Sequence, residues 1–213
     1  MRHWSALALA AAVVVPSAGC TVDERRLSPI TVTYSFGASG AGGADDGGSD
    51  FAAGGDAEVW SFDTDTDGFT AESGIQQSFS HEDAAGYGRS GSLDIVATLQ
   101  RNSDDFWLGG TSQCVPVVED RTYDLELQIY IPHDQGAGSG GFVLEVFNAP
   151  DCEGLLLDLT NLLTADTGSW QRATQTRKTP LGSKSASMRL VVDKPYRATK
   201  FEVLFDNVHF VGD

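Results

Sequence analysis

Basic residues are scarce in this chain: lysine and arginine number 14 against 30 aspartates and glutamates, for a formal net charge of −16. Nucleic-acid binding needs clustered Lys and Arg to neutralise phosphates. None are clustered, so nucleic acid is excluded as a partner. Histidine is sparse too, and His81, His133 and His209 have no second histidine at metal-ligand spacing. No serine stands in a Gly-x-Ser-x-Gly elbow, so the usual machinery of nucleophilic catalysis is missing. A pair of acids cleaving a glycoside is the one catalytic option left open, and nothing in the sequence sets two carboxylates at a working separation. The chain therefore reads as a non-enzyme. No apolar run is long enough to cross a bilayer comfortably as a helix.

What stands at the start is an export signal over residues 1–19. Arg2 and His3 precede an apolar run over residues 4–15, followed by Pro16 and the small residues Ser17, Ala18 and Gly19 ahead of Cys20. Ser-Ala-Gly-Cys looks like a bacterial lipobox, with serine where leucine is usual. On that reading Cys20 is lipidated and becomes the mature first residue, the lipid is the only membrane attachment, and Thr21 in place of Asp suits sorting to an outer membrane. The other reading is a secreted protein cut near Ala18. Lipidation would use one of three cysteines and leave Cys114 and Cys152 as an even pair in an oxidising compartment, where a disulfide is the default. Residues 20–56 read as a tether: a short apolar segment at 30–36 is followed by a tract at 37–55 with eight glycines, which cannot bury a core.

Residues 57–213 read as one all-β domain. Tyr123, Leu125, Leu127, Ile129 and Ile131 alternate with Asp124, Glu126, Gln128 and Tyr130, and the same period of two runs through Leu93, Ile95, Ala97 and Leu99 and through Ala186, Met188, Leu190 and Val192. Turn clusters at 132–141, 165–168 and 180–183 separate them. The pattern predicts an antiparallel β-sandwich of about nine strands. Only residues 154–164, rich in leucine, would also suit one or two helical turns. The last strand, over residues 200–211, alternates through Phe201, Val203 and Phe205 and resumes at Val208 and Phe210 one residue out of phase, which predicts a bulge at Asp206 and Asn207. A carboxylate so placed needs a partner to be buried.

That final aromatic-Asp-Asn-Val-x-aromatic strand, with Trp60-Ser61-Phe62-Asp63 and the Asp67-Gly68-Phe69 turn, resembles carbohydrate-binding modules of the family 4 and 9 type among the galactose-binding-like jelly rolls. The resemblance spans residues 57–213. It implies a jelly roll that binds a polysaccharide or other glycan, with a structural Ca2+ between the first-strand acid and the last-strand aspartate, in this chain Asp63 and Asp206. Asp63, Asp65 and Asp67 have the spacing of a calcium loop, but the twelfth position is Gly74 where an EF-hand needs Glu. The alternative to calcium is a solvated turn at Asp65 and Asp67, with Asp206 accepting backbone hydrogen bonds.

Sugars need flat aromatic faces ringed by amides and carboxylates. Two groups of residues offer them. Gln128 and Tyr130 are expected beside Glu145 and Arg189 on a concave sheet. Tyr87, Arg89, Arg101, Asp105, Phe106 and Trp107 form a loop-borne group, with Trp107 its leading candidate. Trp60 and Trp170 are assigned to packing, as the resemblance implies. The competing function is an adhesive or structural envelope lipoprotein that holds a protein or surface polymer without sugar specificity. A polar-aromatic cleft favours the first reading and a broad exposed apolar patch the second.

Overall fold

The structure is a computed structural model and describes residues 57–85 and 90–213. The signal, Cys20, the tether, the 30–36 segment, Tyr87 and Arg89 lie outside the described residues.

Eleven strands follow one another among the described residues: β1 (Ala57–Trp60), β2 (Thr70–Ala71), β3 (Ile75–Ser80), β4 (Ser92–Ala97), β5 (Phe106–Pro116), β6 (Thr122–Tyr130), β7 (Ser139–Phe147), β8 (Leu156–Thr164), β9 (Gln171–Lys178), β10 (Ser185–Pro195) and β11 (Phe201–Gly212). The count exceeds the expected nine because β1 and β2, of four and two residues, are too short to write an alternation into the sequence. The leucine-rich stretch is the strand β8, paired along β7.

Two antiparallel sheets form the sandwich. The first runs β3-β4-β11-β6-β9, with β1 also on β11, and the second runs β2-β5-β10-β7-β8. Strand β4 pairs β11, β5 pairs β10, β6 pairs β9 and β7 pairs β8, so the chain is one long hairpin rolled up on itself. This is the jelly-roll wrap, in which successive strands pass between sheets. The alternating residues meet inside. Leu125, Leu127 and Ile129 of β6 and Phe201, Val203 and Phe205 of β11 share one core with Met188, Leu190 and Val192 of β10. Burying these side chains is the main favourable term in the fold.

The bulge in β11 is where the phase slip places it. The register against β6 shifts between Asp206 and His209, and Asn207 takes a φ of 49°. One edge of β11 pairs β4 through Phe201 to Phe205 and β1 through Val208 to Val211. The bulge is thus the point at which β11 passes from one neighbour to the other. A disulfide joins Cys114 of β5 to Cys152, in a short 3-10 turn at Pro150–Cys152, with Cα atoms 5.8 Å apart. Closing that 38-residue separation is worth about 4 kcal/mol on the chain-entropy account.

Candidate functional site

Asp206 has the burial that its position demands, with 1% exposure. Its partners are amides. Ala84 N–H donates to Oδ2 at 3.0 Å and Asn207 N–H to Oδ1 at 2.7 Å. Burial raises its pKa to about 6; the two amides pull it down, and the nearby Asp83 pushes it up. Asp63 is exposed and accepts the Ser61 hydroxyl at 2.9 Å. Asp67 accepts Phe62 N–H at 2.8 Å, and Asp65 accepts Asp67 N–H at 2.7 Å, so the acid-rich segment is a turn closed by its own carboxylates. Among the described residues no three His, Cys, Asp or Glu side chains stand together as a metal site. One N–H donor on each oxygen of Asp206 is the backbone hydrogen bonding expected as the alternative to calcium.

The expected sheet group divides between the two sheets. Glu145 lies on β7 and Arg189 on β10, both in the second sheet, whereas Gln128 and Tyr130 lie on β6 in the first. In each case the side chain falls between core-facing neighbours in its strand, so the two pairs look out from opposite sides of the sandwich. The structure does bring Glu145 to Arg189, whose Nη1 lies 3.7 Å from Oε1. Arg189 has a closer partner that sequence reasoning missed. Its Nε and Nη2 donate to Glu72 Oε1 at 2.9 and 2.6 Å, while Glu72 Oε2 accepts Gly110 N–H at 3.3 Å. Glu72 follows the two-residue β2, and no alternation there assigns it a face.

On the first sheet, Tyr130 finds a ring partner in Trp170, with centroids 5.4 Å apart and planes tilted by 36°. Both are half-buried. Trp170 therefore packs on Tyr130 beside the edge strand β9 and not in the core. It lies just before β9, where no strand pattern shows which way it points. Beside the pair, Gln128 sits between Arg172 of β9 and Asp206 of β11. Arg172 bonds Glu126 at 2.5 Å, which raises the guanidinium pKa. Leu204, opposite Tyr130 on β11, supplies a buried apolar floor.

The described members of the loop-borne group make contacts of their own. Trp107 packs against the core, and a Cβ at Gly109 would lie 2.3 Å from its ring, so the indole occupies the space that this glycine leaves. The indole stays half-buried, as Trp170 does. Arg101 stacks over Tyr196 at 5.2 Å and Asp105 accepts the Ser103 hydroxyl at 2.6 Å. Phe106 stays 54% exposed. Nearby, buried Lys194 donates to the carbonyls of Leu99 and Ala198 at 2.7 and 2.8 Å, with its pKa lowered by burial. Trp60 is a core residue, edge-on to Phe69 at 5.4 Å.

No family model matches this chain, and no curated protein matches it. Solved structures do. The N-terminal CBM22-1–CBM22-2 tandem domain of Paenibacillus barcinonensis Xyn10C is similar with a TM-score of 0.52 and 18% identity, over 76% of this chain and 46% of that one. A carbohydrate-binding module of the β-sandwich superfamily, described for its promiscuous specificity, is similar with a TM-score of 0.50 and 17% identity, over 67% and 56%. An arabinose-bound MgGH51 α-L-arabinofuranosidase reaches 0.50 and 16%, over 68% of this chain and 23% of the enzyme. The chain thus spans between 23% and 56% of the length of these three proteins. The likeness shows the fold, an antiparallel β-sandwich of the kind that carbohydrate-binding modules use.

Proposed function

We propose that this chain binds a polysaccharide without cleaving it, through the outer face of the first sheet. The observation that carries the reading is the half-buried Tyr130–Trp170 pair with the Gln128 amide and the Arg172–Glu126 ion pair alongside. Rings of this kind cover the apolar side of a pyranose while amide and charged groups meet its hydroxyls. Carbohydrate binding by similar folds supports this reading by analogy. A non-catalytic role is supported by the acids themselves, since Arg189 engages Glu72 and Glu145 and backbone amides engage Asp206. Export and lipidation at Cys20 belong to the same proposal and rest on the Ser17-to-Cys20 pattern. Loss of membrane fractionation in Cys20→Ala would support the anchor, and unchanged fractionation would refute it.

The test is binding of the oxidised full chain, carrying Cys20→Ser, to a panel of soluble and insoluble polysaccharides. Saturable binding to one class, weakened about tenfold or more by Trp170→Ala in a protein that melts normally, is the expected result. Full affinity in that variant would remove this face from the proposal.

One observation favours a second reading, attachment to a protein or surface polymer. Leu155, Leu156 and Leu159, at the start of β8 and along it, and Leu181 are all 41% or more exposed. Strand β8 is also a sheet edge. Such an edge is open to a partner. Absence of binding to every polysaccharide by a folded chain would favour it.

A further inference from the structure

Next to the aromatic pair the structure holds a cavity of about 320 Å³, lined by His133, Asp134 and Gln135 of the β6–β7 loop and by Lys200 and Glu202 where the chain enters β11. It opens on the same face as Tyr130. Glu202 is two residues from Leu204 on β11 and so shares its side of the sheet, and Leu204 is the cross-strand neighbour of Tyr130.

Both walls are fixed. The Gln135 side chain acts as a piece of strand, accepting Glu202 N–H at 2.7 Å and donating to Glu202 O at 2.8 Å. That pins the β6–β7 loop to β11. His133 rests on Gly168, where a Cβ would come within 1.9 Å of the imidazole and where φ is +80°. Gly168 N–H in turn donates to Ile131 O at 2.8 Å. Cavity and aromatic pair therefore share one segment, and the other member of the pair is tied to the cavity wall through Gly168. Residues 130–135 supply Tyr130 and then His133 to Gln135, and residues 168–170 supply the seat of His133 and then Trp170.

The remaining groups suit a neutral, hydroxyl-rich ligand. Lys200 lies 3.4 Å from Glu202 with its side chain 63% exposed, so the ammonium is loosely held, and His133, Asp134 and Gln135 line the other wall. Donors and acceptors are both present, and one ammonium is set against the carboxylates of Asp134 and Glu202, so the lining has no excess of positive charge to draw an anion. From Tyr130 to the cavity rim at Pro132 is two residues of extended chain, about 7 Å, a distance comparable with one hexose unit.

From this geometry, and resting on the glycan reading above, we infer that the site takes at least two consecutive units of a neutral glycan chain. One ring lies on Tyr130 and Trp170, and the next lies in the cavity beside Lys200 and Glu202. A lone sugar would use only half of the site.

The test is calorimetric titration of the full chain carrying Cys20→Ser with xylose, glucose and mannose and with their β-1,4-linked di-, tri- and tetrasaccharides. In the series that binds, Kd should fall at least tenfold from one unit to two. The double variant Lys200→Ala/Glu202→Gln alters partly exposed side chains and should melt like the parent. It should lose the gain from the second unit while binding the monosaccharide as before, whereas Trp170→Ala should weaken every length. Equal affinity for one unit and two, or a length dependence unchanged in the double variant, would overturn the inference and leave the glycan reading standing. If neither these sugars nor any polysaccharide of the panel binds, the glycan reading falls and the inference with it.

Discussion

On the outer face of the second sheet the charged groups are engaged with one another: Arg189 grips Glu72 and reaches toward Glu145, and the Glu72 carboxylate also takes a backbone amide. Val143 and Val191, which lie between core-facing neighbours on β7 and β10, are buried on that side as well. The outer face of the first sheet is arranged differently. Its aromatic pair is half open, its glutamine lies between strands, and its arginine pair is exposed by 63% and 36%. Similar residue types thus serve two purposes. Groups whose hydrogen bonds are internally satisfied hold the fold, and groups with capacity to spare can meet a ligand.

Removing Arg189 should break this contrast most severely. Its side chain is 19% exposed, against 34% for Glu72 and 23% for Glu145, so Arg189→Ala leaves two partly buried carboxylates without their cation. Breaking such a group by one partner costs about 3 kcal/mol. Urea unfolding should show that loss, while polysaccharide affinity measured well below the midpoint stays within twofold of the parent. A stable variant with lost affinity would move the binding site to the second sheet.

The next effect separates the faces by pH. Asp206, on the first sheet, has its carboxyl pushed up to about 6 from an ordinary 3.8. The native state therefore holds a proton that the unfolded chain releases between those values, and stability falls as pH rises through that window. The change is at most about 3 kcal/mol. Asp67, Asp94 and Asp193, also raised by burial, act in the same direction. Asp158, lowered by its bond to Arg177, opposes them only at more acid pH: its stabilisation is complete above 3.8 and lost as pH falls below. Melting temperature should accordingly rise by several degrees from pH 7 to pH 4.5. Asp206→Asn should remove most of that slope, and an unchanged slope would show that the other acids carry it.

How much of this could be read beforehand follows from what alternation encodes. The bulge at Asp206 and Asn207 was legible because a phase slip between Phe205 and Val208 is itself a sequence pattern. The inward faces of β6 and β10 were legible for the same reason. Which sheet each strand joins is not encoded in that way. In a rolled hairpin β6 and β7 follow each other in sequence yet sit in opposite sheets, so the polar sides of both strands look alike and Gln128 was joined to Glu145. The surroundings of Trp107 and Trp170, both half-buried, were not legible because neither has a clean alternation around it. Trp107 precedes the Gly109–Gly110 pair, and Trp170 stands one residue outside β9.

The smallest expected effect tests whether the charged pair beside the rings belongs to the binding face or only decorates it. Arg172 and Glu126 meet across β9 and β6 at 2.5 Å, but both are substantially exposed, and pairs of that kind contribute about 1 kcal/mol or less to stability. Arg172→Ala should therefore melt within a degree or two of the parent. Arg172 pairs with Gln128 across the strands, on the same side of the sheet as Tyr130, where its guanidinium can donate to a sugar hydroxyl that stacking alone does not fix. Affinity should drop a few-fold, with a larger loss for the preferred glycan than for its competitors, because hydrogen bonds discriminate between sugars more sharply than stacking does. An equal loss across all glycans would make Arg172 a general contact, and no loss would leave recognition to Gln128 and the two rings.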